Sequence, residues 1–159
     1  MKNTIVAIVA FIFGVALITG CSSKKQLLDT NISCGIIDKI QVVTAMGNPA
    51  YGADSKIITN ENEIKLFVDT FNGATTGKKI EIIDTNLAMP SFYYFYSNNT
   101  LVAQFAFNGN DTNKIWLKDN FYSIDYAEDK KTPFELYIDS KADIFVVDEN
   151  GTEMKRPQE

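Results

Sequence analysis

Histidine is absent from the 159 residues, which removes the commonest general base and the commonest neutral metal ligand together. Serine–histidine and cysteine–histidine nucleophiles are therefore out of reach, and any acid–base chemistry would rest on carboxylates. Two close pairs exist, Glu61/Glu63 and Glu128/Asp129, but both stand in polar sequence. A glycosidase pair needs one acid in an apolar pocket to raise its pKa. Asp84, between a strand and the Met89-Pro90 loop, comes nearest to that setting. The run Asp148-Glu149-Asn150-Gly151-Thr152-Glu153 begins like a calcium loop, yet its glycine falls at the fourth position instead of the sixth. An Asn-Gly hairpin turn explains it better, and Asn108-Gly109-Asn110-Asp111 likewise reads as a turn. Ser22-Ser23-Lys24-Lys25 spells Ser-x-x-Lys, but it lies in polar sequence next to an apolar leader rather than in a domain. Glycine-rich phosphate loops and Cys-x-x-Cys pairs are missing, so neither a cofactor nor a metal is expected.

The two cysteines are Cys21 and Cys34. Met1-Lys2-Asn3 is a short positive start, and Thr4 to Leu17 is a nearly unbroken apolar run. That run is shorter than the ~20 residues a bilayer-spanning helix needs, and it fits the apolar region of a secretory signal. Ile18-Thr19-Gly20-Cys21 follows: an aliphatic residue, two small residues and a cysteine. This stretch resembles the lipobox of bacterial prolipoproteins, a likeness that covers about the first 25 residues. The resemblance implies diacylglyceryl transfer to the Cys21 sulfur, cleavage between Gly20 and Cys21, and acylation of the new amino terminus. It also implies a domain held at the bacterial cell membrane and facing outward. Ser22 is not the aspartate that signals inner-membrane retention in diderm cells, where the outer membrane would be the destination. Two or three acyl chains hold a protein firmly. Lipidation consumes Cys21 and leaves Cys34 unpaired. Ile32-Ser33-Cys34-Gly35 offers no basic neighbour to activate the thiol, so Cys34 reads as a small apolar residue.

Fifteen basic against twenty acidic residues give a net charge of −5. Removing Met1–Gly20 takes away Lys2 and no acid, which leaves −6. A nucleic-acid binder should show a basic face, so no nucleic-acid partner is expected. Lys24 and Lys25 alone make a weak polybasic signal, and the holding falls to the lipid.

The chain divides into a signal at 1–20, a lipidated tether at 21–32, one domain at 33–154 and a frayed tail at 155–159. Ile36–Ala45 reads as the first strand and Met46–Ser55, with Gly47-Asn48-Pro49 and Gly52, as a loop. Asn60 with Glu63 is a capping-box pattern, and Ile64, Phe67, Val68 and Phe71 follow at helical spacing. A helix over Glu61–Asn72 is expected, stopped by a left-handed Asn72-Gly73. Strands are expected at Lys79–Asp84, Phe92–Tyr96 and Leu101–Phe107, the last two joined by a type I′ turn at Asn98-Asn99. Ile115–Leu117 and Phe121–Tyr126 form a second hairpin, and Ile144–Asp148 a last strand. For Phe134–Ile138, the Phe134/Leu136/Ile138 alternation favours a strand, while Thr132-Pro133-Phe134-Glu135 has the form of a helix cap. The strand is the preferred reading. The fold class is therefore α+β: an antiparallel sheet of six or seven strands with one amphipathic helix packed on one face.

Fourteen of the nineteen aromatic residues lie between Phe92 and Phe145. With Asn98-Asn99 as a two-residue turn, Tyr96 faces Leu101, Tyr94 faces Ala103 and Phe92 faces Phe105. That face would lie under the helix, leaving Tyr93 and Phe95 on the other with Val102, Ala106 and Gln104. Two apolar faces mean that both are covered, either by the domain's own Ile36 strand, loops or C-terminal hairpin, or by a partner. On the second reading Tyr93, Phe95 and Trp116 are the candidate binding patch, because Tyr and Trp carry much interface energy. The leading expectation for function is a membrane-anchored, non-catalytic binding or accessory module whose partner is an envelope protein, peptide or wall component. A carboxylate- or metal-dependent envelope enzyme is the alternative. A third class is a pheromone released from the signal peptide, for which Phe13 to Gly20 has the length and apolarity.

Overall fold

A single antiparallel sheet carries both helices on one of its faces. The computed structural model describes residues 25–26, 35–81, 88–117 and 119–155. Gly20, Cys21, Cys34 and Asp84 lie outside those residues, as do the signal, most of the tether and the end of the strand expected at Lys79–Asp84. In chain order the strands are β1 (Lys25–Gln26), β2 (Lys39–Val43), β3 (Ala53–Ile58), β4 (Thr75–Ile80), β5 (Ser91–Ser97), β6 (Thr100–Asn108), β7 (Asp111–Leu117), β8 (Asn120–Asp125), β9 (Ile144–Val147) and β10 (Glu153–Met154). Their order across the sheet is β1-β4-β8-β7-β6-β5-β2-β3-β9-β10. The helices are α1 (Glu61–Gly73) and α2 (Pro133–Asp139).

Among the described residues the sheet thus has ten strands where six or seven were expected, and there are two helices where one was. β1 lies within the tether, and β10 closes the Asn150-Gly151 hairpin. β3 lies partly in the expected Met46–Ser55 loop. Its turn signals end at Gly52, where φ is +68°, and the small residues Ala53 and Ser55 conceal an alternating strand.

Asn60 caps α1 by accepting the N–H groups of Asn62 (3.0 Å) and Glu63 (3.2 Å). The Glu63 carboxylate does not complete the box. It accepts instead from Ser140 Oγ (2.6 Å) and Lys141 N (3.2 Å), which ties α1 to the chain leaving α2. Gly73 stays helical and the extended residue Ala74 ends the helix, so the left-handed stop is not adopted.

The strand expected at Phe134–Ile138 is α2. Pro133 presets the first turn, the Thr132 hydroxyl accepts from Glu135 N (3.3 Å), and Glu135 Oε2 accepts from Thr132 N (2.7 Å). Pro133, Leu136 and Tyr137 are buried at helical spacing while Ile138 is exposed, so the alternation was incidental. Lys56 is buried and donates to the carbonyls of Tyr137 (2.8 Å) and Ser140 (2.6 Å). A cation there satisfies carbonyls that a helix end leaves open.

The core lies between α1 and the sheet. Phe71 is fully buried and its ring meets Phe105 (4.6 Å, stacked), Phe95 (5.1 Å, edge-on) and Tyr93 (5.9 Å). At the β5–β6 turn, Asn98 (φ 49°) and Asn99 (φ 59°) are both left-handed, as a type I′ turn requires. Tyr96 pairs with Leu101 as expected, but Phe95 pairs with Ala103, so Val102 is a bulged extra residue. Every pair beyond it is offset by one: Tyr94 faces Gln104 and Tyr93 faces Phe105. The two faces are therefore the reverse of the expectation. Tyr93 and Phe95 lie beneath α1, and Phe92, Tyr94 and Tyr96 lie on the opposite face. Among the described residues no helix is long and apolar enough to cross a membrane.

Candidate functional site

The candidate patch does not form as a unit. Tyr93 and Phe95 are each only 1% exposed, so they are core residues and not a surface. Burial and the nearby phenols of Tyr126 and Tyr137 push the Tyr93 hydroxyl far above its ordinary pKa. Trp116 does reach the surface, at 44% exposed, and stacks on Phe121 with ring centres 5.6 Å apart.

Trp116 lies on the face that carries neither helix. One row of neighbouring positions crosses that face from Phe121 through Trp116, Ala106 and Phe92 to Val43. The next row along runs from Gln104 through Tyr94 and Gln41 to Ile57. An antiparallel sheet with a wet face would alternate polar residues here. This one sets Phe121, Trp116, Phe92 and Tyr94 beside only two glutamines in those rows. Phe92 and Tyr94 stack at 5.8 Å, and the Lys39 ammonium sits 4.5 Å above the Tyr96 ring while donating to Asn99 Oδ1 (3.0 Å).

A cleft of about 410 Å³ opens on this face, within the size range of ligand sites. Val43, Phe92, Tyr94 and Gln41 form its floor, Met46, Met89 and Pro90 line one wall, and the Asp148–Gly151 turn forms the rim. Two asparagines of the β6–β7 turn hold the wall. Asn110 Oδ1 accepts from Ala45 N (3.2 Å) and Asn108 Oδ1 from Ala88 N (3.0 Å), so the oxygens that looked like ligands are used within the fold. Gly109 takes φ +61° between them, and a Cβ there would stand 2.9 Å from the Ala88 Cβ.

The acidic run at 148–153 is likewise a turn. Asp148 Oδ1 accepts the N–H groups of Asn150 (2.9 Å) and Thr152 (2.8 Å), and Gly151 has φ +77°. Among the described residues no three Asp, Glu or Cys side chains gather as a metal site. Glu61 and Glu63 lie at the start of α1, and Glu128 and Asp129 in the exposed turn before α2, all away from the cleft.

The cleft offers stacking surfaces, two adaptable methionines, amides and two carboxylates, with no Lys or Arg among its lining residues. Burial and the adjacent Tyr96 phenol raise the Tyr94 pKa. Phe92, Tyr94, Tyr96, Met89 and Glu149 were not candidates from the sequence. The signal for Phe92, Tyr94 and Tyr96 was present as the two apolar faces of β5, but the bulge that chooses between the faces leaves no mark in the residues. No family model, no curated protein and no solved structure matches this chain.

Proposed function

We propose that this chain is a lipid-anchored bacterial envelope module that faces outward and binds a partner without performing chemistry on it. The Ile18-Thr19-Gly20-Cys21 lipobox supports the anchor. The single observation that carries the binding role is the aromatic row Phe92, Tyr94 and Tyr96, left uncovered by either helix and bordered by Asp148 and Glu149 with no base in the lining. That combination favours an envelope protein or peptide with basic and apolar side chains. Its cations would lie over the rings as Lys39 lies over Tyr96, and the mature charge of −6 would draw it in.

In-cell cross-linking and mass spectrometry of the anchored protein, beside Cys21→Ala and Tyr94→Arg, tests this reading. One envelope partner should be retained by the natural protein and lost in both variants, while Tyr94→Arg keeps its melting temperature. A partner retained by a folded Tyr94→Arg would place binding elsewhere.

A further inference from the structure

The fold fixes where an acylated Cys21 can stand. Lys25 pairs with Thr76 and Gln26 with Thr75, so β1 lies along the outer side of β4. Cys21 is four residues before Lys25, and four extended residues reach about 14 Å at most. On the anchoring proposed above, on which this inference rests, the lipid is held beside that edge of the sheet.

The same edge is basic in an acidic molecule. Beyond the two residues that β1 covers, β4 exposes Gly77, Lys78 and Lys79. Ser123 Oγ fixes this stretch by accepting from Lys78 N (3.0 Å), and a Cβ on Gly77 would stand only 2.3 Å from that oxygen. Lys25, paired with Thr76, adds a third charge. Asp125, opposite Thr75, and Glu81, after Ile80, are the acids at the two ends of β4, so among the described residues the edge has three cations to two anions. The far edge has the opposite sign, with Asp148, Glu149 and Glu153 around β9 and β10.

We infer that β4 is a membrane-docking edge that rests on an anionic lipid surface. The lipid supplies the attachment, and the lysines select the orientation, because basic residues are drawn to anionic headgroups within a Debye length. The sheet then stands on its edge. β2, in the floor of the cleft, is five strands from β4, which at ~4.8 Å per strand carries the cleft roughly 24 Å from the membrane side.

Amine acylation by a membrane-impermeant reagent, read by mass spectrometry, tests this on the mature lipoprotein in phosphatidylglycerol vesicles and in detergent. Labelling of Lys78 and Lys79 should fall several-fold on the vesicles, while Lys141 and Lys155, exposed on the far side, label as before. The protection should weaken in pure phosphatidylcholine. Equal labelling of Lys78 and Lys141 on phosphatidylglycerol, or uniform protection of all four lysines, would overturn the inference. The mass of the Cys21 peptide reports separately on lipidation. If it carries no lipid, the anchoring reading fails, and the mature chain with Cys34→Ala, coupled through Cys21 to a maleimide lipid, still tests the edge.

Discussion

Tyr93 stands directly across the β5–β6 ladder from Phe105, and the Phe71 ring of α1 packs on both. One bulged residue, Val102, produces that pairing and decides which aromatic face is core. Phe71→Ala should therefore cost about 3–5 kcal/mol, as deletion of a buried ring does. Tyr94→Ala, on the other face, should cost about 1 kcal/mol or less. Urea unfolding of both variants checks the assignment, and the reverse ranking would place the core on the wrong face.

The Asn98-Asn99 turn makes a second prediction. Asn99 has φ 59°, a conformation that costs an ordinary side chain roughly 1–2 kcal/mol. Asn99→Ala should lower stability by about 1 kcal/mol, whereas Asn99→Gly should be neutral or stabilising. Thermal or urea unfolding of the pair measures the difference directly.

Lys56 holds two carbonyls at the end of α2 from within the core. Lys56→Met keeps the stem packing but leaves those acceptors unpaired, at about 1–3 kcal/mol. Amide hydrogen exchange should show the loss concentrated in α2. Uniform loss across the sheet would mean that Lys56 supports the strands instead.

Acid should loosen the same helix from its other end. The Thr132 backbone N–H and hydroxyl hold the Glu135 carboxyl below its ordinary pKa. A depressed folded pKa gives stability that is present above the unfolded value and lost as pH falls through the folded one. The melting-temperature gap between the natural protein and Glu135→Ala should be full at pH 7 and should close below the ordinary glutamate pKa, about 4.3. A gap that persists at pH 2 would assign it to helix propensity alone.

The parts of this fold legible in the residues were those specified locally. The Asn60 cap and the Ile64/Phe67/Val68/Phe71 stripe define α1, and the two asparagines at 98–99 define a left-handed turn. What the residues hid depends on partners far along the chain. Glu63 leaves its own cap for Ser140, seventy-seven residues away. The backbone of β1 takes its register from Thr75 and Thr76. The cleft is assembled from β2, β5, the turn after β9 and a wall drawn from two loops, so no short window of sequence contains it. Tyr93 and Phe95 were misplaced for the related reason that a one-residue bulge exchanges the faces without changing the composition.

The open face of the sheet is the proposed place where a partner is bound. Site-specific photo-cross-linking in living cells tests it most directly. The reactive residue is placed at Thr44 or Met89 in the cleft, or at Leu66, exposed on α1 beside a separate cavity between the helices. One discrete adduct is expected from both cleft positions, abolished by Tyr94→Arg, and none from Leu66. An adduct from Leu66 with silent cleft positions would contradict it.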